Sequence, residues 1–280
     1  DSRISDPLRM AYYTGLLSVV GAIFLPWAEV LPSSFVLWWS AVAGAFFLGA
    51  LWVFFMALKS DEPSRVVPIT GSAVPLFTLL FAAAFLGERL SGTQVLGVLV
   101  LVGGGVLLSI TWHGARGLSR RAIGLAVLAG AAFAAHFAAI KLVYDTFPNF
   151  LGAFAYSRLI MALLALMVLG PLLVIFRTPR QRRPKKKTTA AASGVMIAAL
   201  FFGNKALGAG TVMLQNYAVS LGSVTVVNAL QGTQYVFLLL LAALVSVWWP
   251  QLWREEVGRV ALWQKLVGIV LIGLGIVLLV

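Results

Sequence analysis

The sequence predicts an all-α polytopic membrane protein made of two inverted repeats of transmembrane helices, and three observations carry that prediction. Of 280 residues, 61% are hydrophobic and only 11% charged, whereas a water-soluble surface calls for about a quarter of charged residues. Apolar runs near twenty residues recur nine times, the length an α-helix needs to cross roughly 30 Å of hydrocarbon with its backbone groups paired internally. Finally, one block of the chain repeats later with its sidedness reversed. The absence of cysteine excludes disulfides, thiolate metal sites and a cysteine nucleophile together.

The first span, Met10 to Leu31, is not read as a cleaved signal peptide, because the charged stretch Asp1 to Arg9 precedes it and eight spans follow. The second, Phe35 to Leu58, carries Trp52, an aromatic wall either for a cavity or for packing. The third, Val67 to Leu86, holds Pro75 and ends in Gly87-Glu88-Arg89-Leu90. The fourth, Gln94 to Trp112, opens with Gln94 and carries Gly97 and Gly103 to Gly105, small residues that let helices approach closely. The fifth, Ala122 to Tyr144, is alanine-rich with His136 inside it, read as a packed residue or a proton relay; Lys141 and Asp145 pair at i and i+4 near its end. The sixth, Phe150 to Phe176, contains Arg158, which lies over Arg9 when the halves are aligned and reads as a repeated anchor.

The seventh span, Ala190 to Ser220, carries Asn204, Lys205, Gln215 and Asn216, with Lys205, Ala209, Val212 and Asn216 on one stripe. A lysine in low dielectric either loses its proton more easily or binds an anion, so Lys205 is the leading candidate to attract a carboxylate or phosphate; the alternative is a lysine snorkelling to the interface. The eighth, Ser223 to Trp249, is the richest in polar groups. Asn228, Gln231, Gln234 and Tyr235 recur at three- and four-residue spacing on one face, suited either to hydrogen-bonding a solute or to interhelical bonding. The ninth, Leu262 to Val280, opens on Gln264 and carries Gly268, Gly273 and Gly275.

Basic residues gather on one side of these spans. Arg3, Arg9, Lys59, Arg65, Arg116, Arg120, Arg121, Arg254, Arg259, Lys265 and the run Arg177 to Lys187 alternate with loops holding little beyond Arg89 and Lys141. Basic loops stay cytoplasmic, which puts the start of this chain and the Arg177 loop in the cytosol and Val280 outside. The formal charge of +12 is therefore read as topology, and no nucleic-acid partner is expected.

The stretch from Ser64 to Phe81 can be laid without a gap on the stretch beginning at Ser223. Each is followed by an acid-bearing loop, Glu88 in one and Glu255-Glu256 in the other, and then by a glycine-bearing span opened by glutamine. By the span count the Glu88 loop lies outside and the Glu255 loop inside, so the copies are inverted. In Pro75, Gly87 to Leu90 and Gln94 to Gly97 the sequence resembles the drug/metabolite transporter superfamily of EamA type. The resemblance implies ten helices in two inverted five-helix repeats with a substrate cavity near the midplane between them. Residues 1–112 form the first repeat, with four visible spans and its first helix expected before Asp1, and residues 113–280 form the second, with five. The family pattern places both termini in the cytosol, whereas the charge bias with the added helix places both outside. The expected location is the plasma (inner) membrane of a bacterium or archaeon.

The resulting expectation is a secondary transporter moving a small metabolite by alternating access. No carboxylate falls mid-span, since Glu29, Glu88, Asp145 and the other acids sit at span ends or in loops, which leans the substrate towards neutral, zwitterionic or anionic. A lipid or lipid-linked precursor flippase is the nearest rival, and a non-transporting membrane scaffold the rival of another class. An enzyme is not expected, because no His-Glu-x-x-His, Gly-x-Ser-x-Gly or paired acids occur, and no nucleotide-binding loop is present. No cofactor or metal is expected. The partners are a small-molecule substrate and the lipid bilayer, with the chain a monomer or homodimer.

Overall fold

The computed structural model describes residues 7–109, 119–175, 194–234, 236–237, 241 and 259–279, and every regular element among them is helical. Helix α1 (Pro7–Leu17) continues directly into a 3-10 helix, Ser18–Trp27, with Pro26 near its end. Ten residues is long for a 3-10 run, which rarely exceeds three or four. Helix α2 (Ser34–Ser60) starts where the Ser33 hydroxyl accepts a hydrogen bond from the Val36 amide at 3.3 Å, an N-cap that satisfies an otherwise unpaired donor.

Helix α3 (Pro63–Phe81) opens on proline, where no amide hydrogen is needed, and carries Pro68 and Pro75 in its interior. Each interior proline removes a backbone donor, which favours bending. It runs on through a π turn, Ala82–Leu86, and closes at Gly87 with φ 64°. The Glu88 amide reaches back to the Ala82 carbonyl at 3.1 Å, a left-handed glycine stop of the kind that ends many helices. Helix α4 (Gly92–Ser109) begins with a reciprocal cap, the Ser91 amide donating to Gln94 Oε1 at 3.0 Å and the Gln94 amide to Ser91 Oγ at 3.2 Å.

Helix α5 spans Arg120–Thr146 and α6 Phe150–Leu164, the latter capped by Asn149 Oδ1, which accepts from the Gly152 amide at 2.7 Å. A π turn, Ala165–Leu169, leads from α6 into the short α7 (Gly170–Ile175). Helix α8 covers Gly194–Leu221; α9 (Val224–Leu230) is capped by Ser223 Oγ and followed by one 3-10 turn, Gln231–Thr233; α10 runs Arg259–Leu279.

Among the described residues five helical stretches are long and apolar enough to cross a membrane: Pro7–Trp27, Ser34–Ser60, Val66–Leu86, Arg120–Thr146 and Phe150–Ile175. They coincide with the first, second, third, fifth and sixth runs read from the sequence. Gly92–Leu108 and Leu266–Leu279 are shorter apolar helices at the fourth and ninth. The seventh run corresponds to α8. The eighth begins as α9, and most of its later part lies outside the described residues, as do the Arg177 to Lys187 run and the Glu255-Glu256 loop. Ile23, Trp38, Leu80, Leu128, Met167 and Val277 are among many large apolar side chains left exposed, a surface suited to lipid rather than water. The protein is an integral membrane protein.

Helix α5 is the most buried of the five spans and forms the centre. Its small residues Ala122, Ala126, Ala129, Ala134 and Ala138 lie in the core, and a Cβ added at Gly130 would come within 2.6 Å of Ala73 and 3.0 Å of the Thr70 carbonyl on α3. In lipid, where apolar burial gives helices little reason to associate, such close backbone approach supplies the packing. Helices α4 and α10 approach each other in the same way. A Cβ at Gly104 would meet the Gly268 carbonyl at 2.9 Å, and one at Gly97 the Gly275 carbonyl at 3.0 Å. Gln94 near the start of α4 donates to the Leu279 carbonyl at the end of α10, and Gln264 near the start of α10 donates to the Leu107 carbonyl at the end of α4. The two helices are therefore antiparallel and reciprocally fastened.

Candidate functional site

Polar side chains buried within an apolar bundle are costly unless paired, and most of those among the described residues fall into two groups, with Ser40, Thr70 and His136 outside them. The first joins α3 to α9. Asn228 is 1% exposed and Thr78 fully buried; Asn228 Nδ2 donates to Thr78 Oγ1 at 3.3 Å, while Thr78 itself donates to the Val74 carbonyl at 2.7 Å. Gln231, one turn further on, donates through Nε2 to Asn228 Oδ1 at 2.8 Å. At the mouth of this group Glu88, leaving the Gly87 turn, accepts from the Thr225 hydroxyl at 3.1 Å through Oε2, and its Oε1 is buried without a partner.

The second group joins α5, α6 and α8. The Tyr144 hydroxyl donates to Asn216 Oδ1 at 2.8 Å, and Asn216 Nδ2 donates to the Val212 carbonyl at 2.7 Å. One turn earlier on α5, Lys141 pairs with Asp145 at 2.8 Å and donates to the Ser220 carbonyl at 3.3 Å, so α5 and α8 are clasped at two successive levels. Arg158 and Ser157 of α6 lie beside the Tyr144 hydroxyl, and the Arg158 guanidinium stacks on the Phe154 ring at 4.8 Å from its centroid. The 3-10 stretch presses on the same arginine: a Cβ at Gly21 would come within 2.7 Å of Arg158 Cγ, and Ser18 Oγ donates to the Arg158 carbonyl at 3.0 Å. His136, also buried, is held between α2 and α5 by a 2.9 Å hydrogen bond between Nδ1 and the Ala43 carbonyl, with Phe47 and Phe137 against its ring.

The residues singled out in the sequence are thus distributed. Asn228 and Gln231 come together, Asn216 is buried against Tyr144, and His136 is buried apart from them. Trp52 is half-buried and packs against the apolar cluster around Leu48, Leu51 and Leu169. Asn204, Lys205 and Gln234 are exposed, and Tyr235 lies outside the described residues. Lys205 and Asn216 are not brought together: about three helical turns, roughly 16 Å, separate them, and the intervening Ala209 and Val212 are exposed while Asn216 is buried. Sequence reasoning passed over Thr78, Tyr144 and Ser157 and read Arg158 as an anchor. The signal for Arg158 was present, an ionisable residue deep inside an apolar run.

The model of the EamA-like transporter family matches residues 2–110. That is the segment carrying Pro75, the Gly87 to Leu90 turn and Gln94. No curated protein is significantly similar. Several solved structures are similar to this chain; one of them, a crystal structure, matches at a TM-score of 0.64 and 18% identity, over 99% of this chain and 87% of that one, a likeness of fold.

Proposed function

From the match of residues 2–110 to the EamA-like transporter family, we propose that the chain is a secondary transporter that moves a small metabolite by alternating access of two inverted halves, residues 1–112 and 113–280. The observation that carries this reading is the buried Thr78–Asn228–Gln231 chain, which connects a helix of the first half to a helix of the second. A polar seam between two halves is where a carrier needs groups that trade a partner across the seam for a solute. The reciprocal α4–α10 pairing supports the inverted relation of the halves. Asn228, Gln231 and Asn216 are the proposed hydrogen-bonding wall, with Gln234, Tyr235, Asn204, Lys205, His136 and Trp52 as further lining.

A lipid or lipid-linked precursor is the second reading, favoured by the polar pair Asn204 and Lys205 on the exposed side of α8. The test is a thermal-shift screen of the purified chain against amino acids, organic acids, nucleotides and lipid phosphates, followed by counterflow in proteoliposomes. A soluble class that raises Tm and exchanges across the membrane, at least tenfold more slowly in Asn228→Ala, is the expected result. Lipid scrambling without solute exchange selects the flippase, and the absence of both leaves a scaffold.

A further inference from the structure

Arg158 sits on α6 about 12 Å along the helix from Phe150 and is 5% exposed. A guanidinium stays charged under all physiological conditions and offers five N–H donors in a fixed fork. Among the described residues no carboxylate pairs with it. Asp145 is held by Lys141 and Glu88 by Thr225, Asp61 accepts from the Ser119 amide, and Glu29 and Glu62 are exposed. Its own neighbours are the Tyr144 hydroxyl, Ser157 and the Phe154 ring, all uncharged as placed, and its Nε is buried without a hydrogen bond. Beyond Tyr144, the Asn216 amide spends one N–H on Val212 and keeps a second. A positive charge sealed in low dielectric with no counter-charge among the described residues is completed by an anion.

Building on the transport reading, we propose that Arg158 receives a singly charged oxyanion of the cargo, with the carboxylate of a monocarboxylic metabolite as the fitting chemistry. One guanidinium offsets one negative charge. A dianion would bring a second charge with no cation to meet it, and a zwitterion would bring an ammonium with no acid to meet it, each at a desolvation cost. The forked donors suit the two oxygens of a carboxylate, which they bind side by side. A lipid phosphodiester carries the same single charge and the same pair of free oxygens, so the source of the oxyanion is decided by measurement.

The full chain is titrated in detergent with lactate and benzoate as monocarboxylates, lactamide as the neutral counterpart, succinate as dianion, alanine as zwitterion and dimethyl phosphate as the soluble phosphodiester. The same measurement is made in nanodiscs with and without phosphatidylglycerol. The expected result is stabilisation by monocarboxylates alone, weakened at least tenfold in Arg158→Gln and partly kept in Arg158→Lys, with the ligand-free Tm of Arg158→Gln unchanged or raised. Stabilisation by dimethyl phosphate and phosphatidylglycerol in place of the monocarboxylates keeps the oxyanion site and assigns it to lipid. Preference for lactamide, succinate or alanine, or undiminished monocarboxylate binding in Arg158→Gln, overturns the proposal and leaves the transporter reading standing; no ligand response and no counterflow removes both. Should Arg158→Gln fail to fold, the charge selectivity of the unmutated chain and the weakened but retained monocarboxylate binding in Arg158→Lys decide the matter.

Discussion

At the scale of single residues, the buried hydrogen bonds of this bundle are modest in energy and specific in place. Tyr144 and Asn216 meet at 2.8 Å between α5 and α8. Interhelical hydrogen bonds inside membranes average about 0.6 kcal/mol and reach about 1.7 kcal/mol. A double-mutant cycle with Tyr144→Phe and Asn216→Leu, read by reversible unfolding in detergent or bicelles, is expected to return a coupling in that range. Gly87 is a residue of the opposite kind, important for its backbone. Its φ of 64° lies in the left-handed region, and space around its Cα is open, so Gly87→Ala is expected to destabilise by about 1–2 kcal/mol through backbone strain alone. The glycine of the Gly-Glu-Arg-Leu turn was legible as a motif, but its reason was not: only the structure shows that the turn ends a π-helical stretch and delivers Glu88 to Thr225. Arg158 shows the same gap. Its depth in an apolar run was readable, whereas the lack of a carboxylate beside it among the described residues depends on which helices surround α6.

At the scale of helices, the α4–α10 pair separates glycines that matter for packing from glycines that do not. A Cβ on Gly104 would meet the Gly268 carbonyl and Ile272 within 3.0 Å, while the adjacent Gly103 faces open space. Gly104→Ala is expected to lower the unfolding midpoint and Gly103→Ala to leave it unchanged or raise it, since alanine is favoured over glycine in a helix by about 0.5–1 kcal/mol. A paired thermal-unfolding measurement checks this, and equal effects of the two would refute the packing described. The glutamine that opens each of these helices was visible in the sequence. Its double duty was not, because Gln94 both completes the reciprocal cap with Ser91 and reaches Leu279 at the far end of the partner helix. The apolar runs located the first, second, third, fifth and sixth spans well, since their length and composition are local properties. The change of α1 into a 3-10 helix at Ser18 was not legible, because it occurs where Gly21 packs against Arg158 of a distant segment.

At the scale of the whole molecule, the transport proposal requires the Thr78–Asn228 connection to open and close as the halves rock against each other. The 280 residues contain no cysteine, so Thr78→Cys with Asn228→Cys introduces two thiols into a cysteine-free stretch. Bridging them with a bifunctional thiol reagent is expected to reduce counterflow to background, with recovery on reduction. Full activity in the bridged protein would show that this seam does not move. Membrane insertion and the family match over residues 2–110 were within reach of sequence alone, because lipid imposes composition and the turn motif is contiguous. Which of the two cations inside apolar runs is exposed, Lys205, and which is buried, Arg158, was not, since only their surroundings distinguish them.

The fastening of α4 to α10 also sets a schedule for biosynthesis. Gln94 and the carbonyl it binds on Leu279 are 185 residues apart, an interval that a ribosome working at about 5–20 residues per second covers in roughly 10–40 s. Throughout that time α4 is made but unmatched, its glycine face turned to lipid or to whatever insertion machinery shelters it. This glycine-lined helix pair thus forms late. A chain halted before Arg259 would carry almost every span and still lack the closure on which α4 depends.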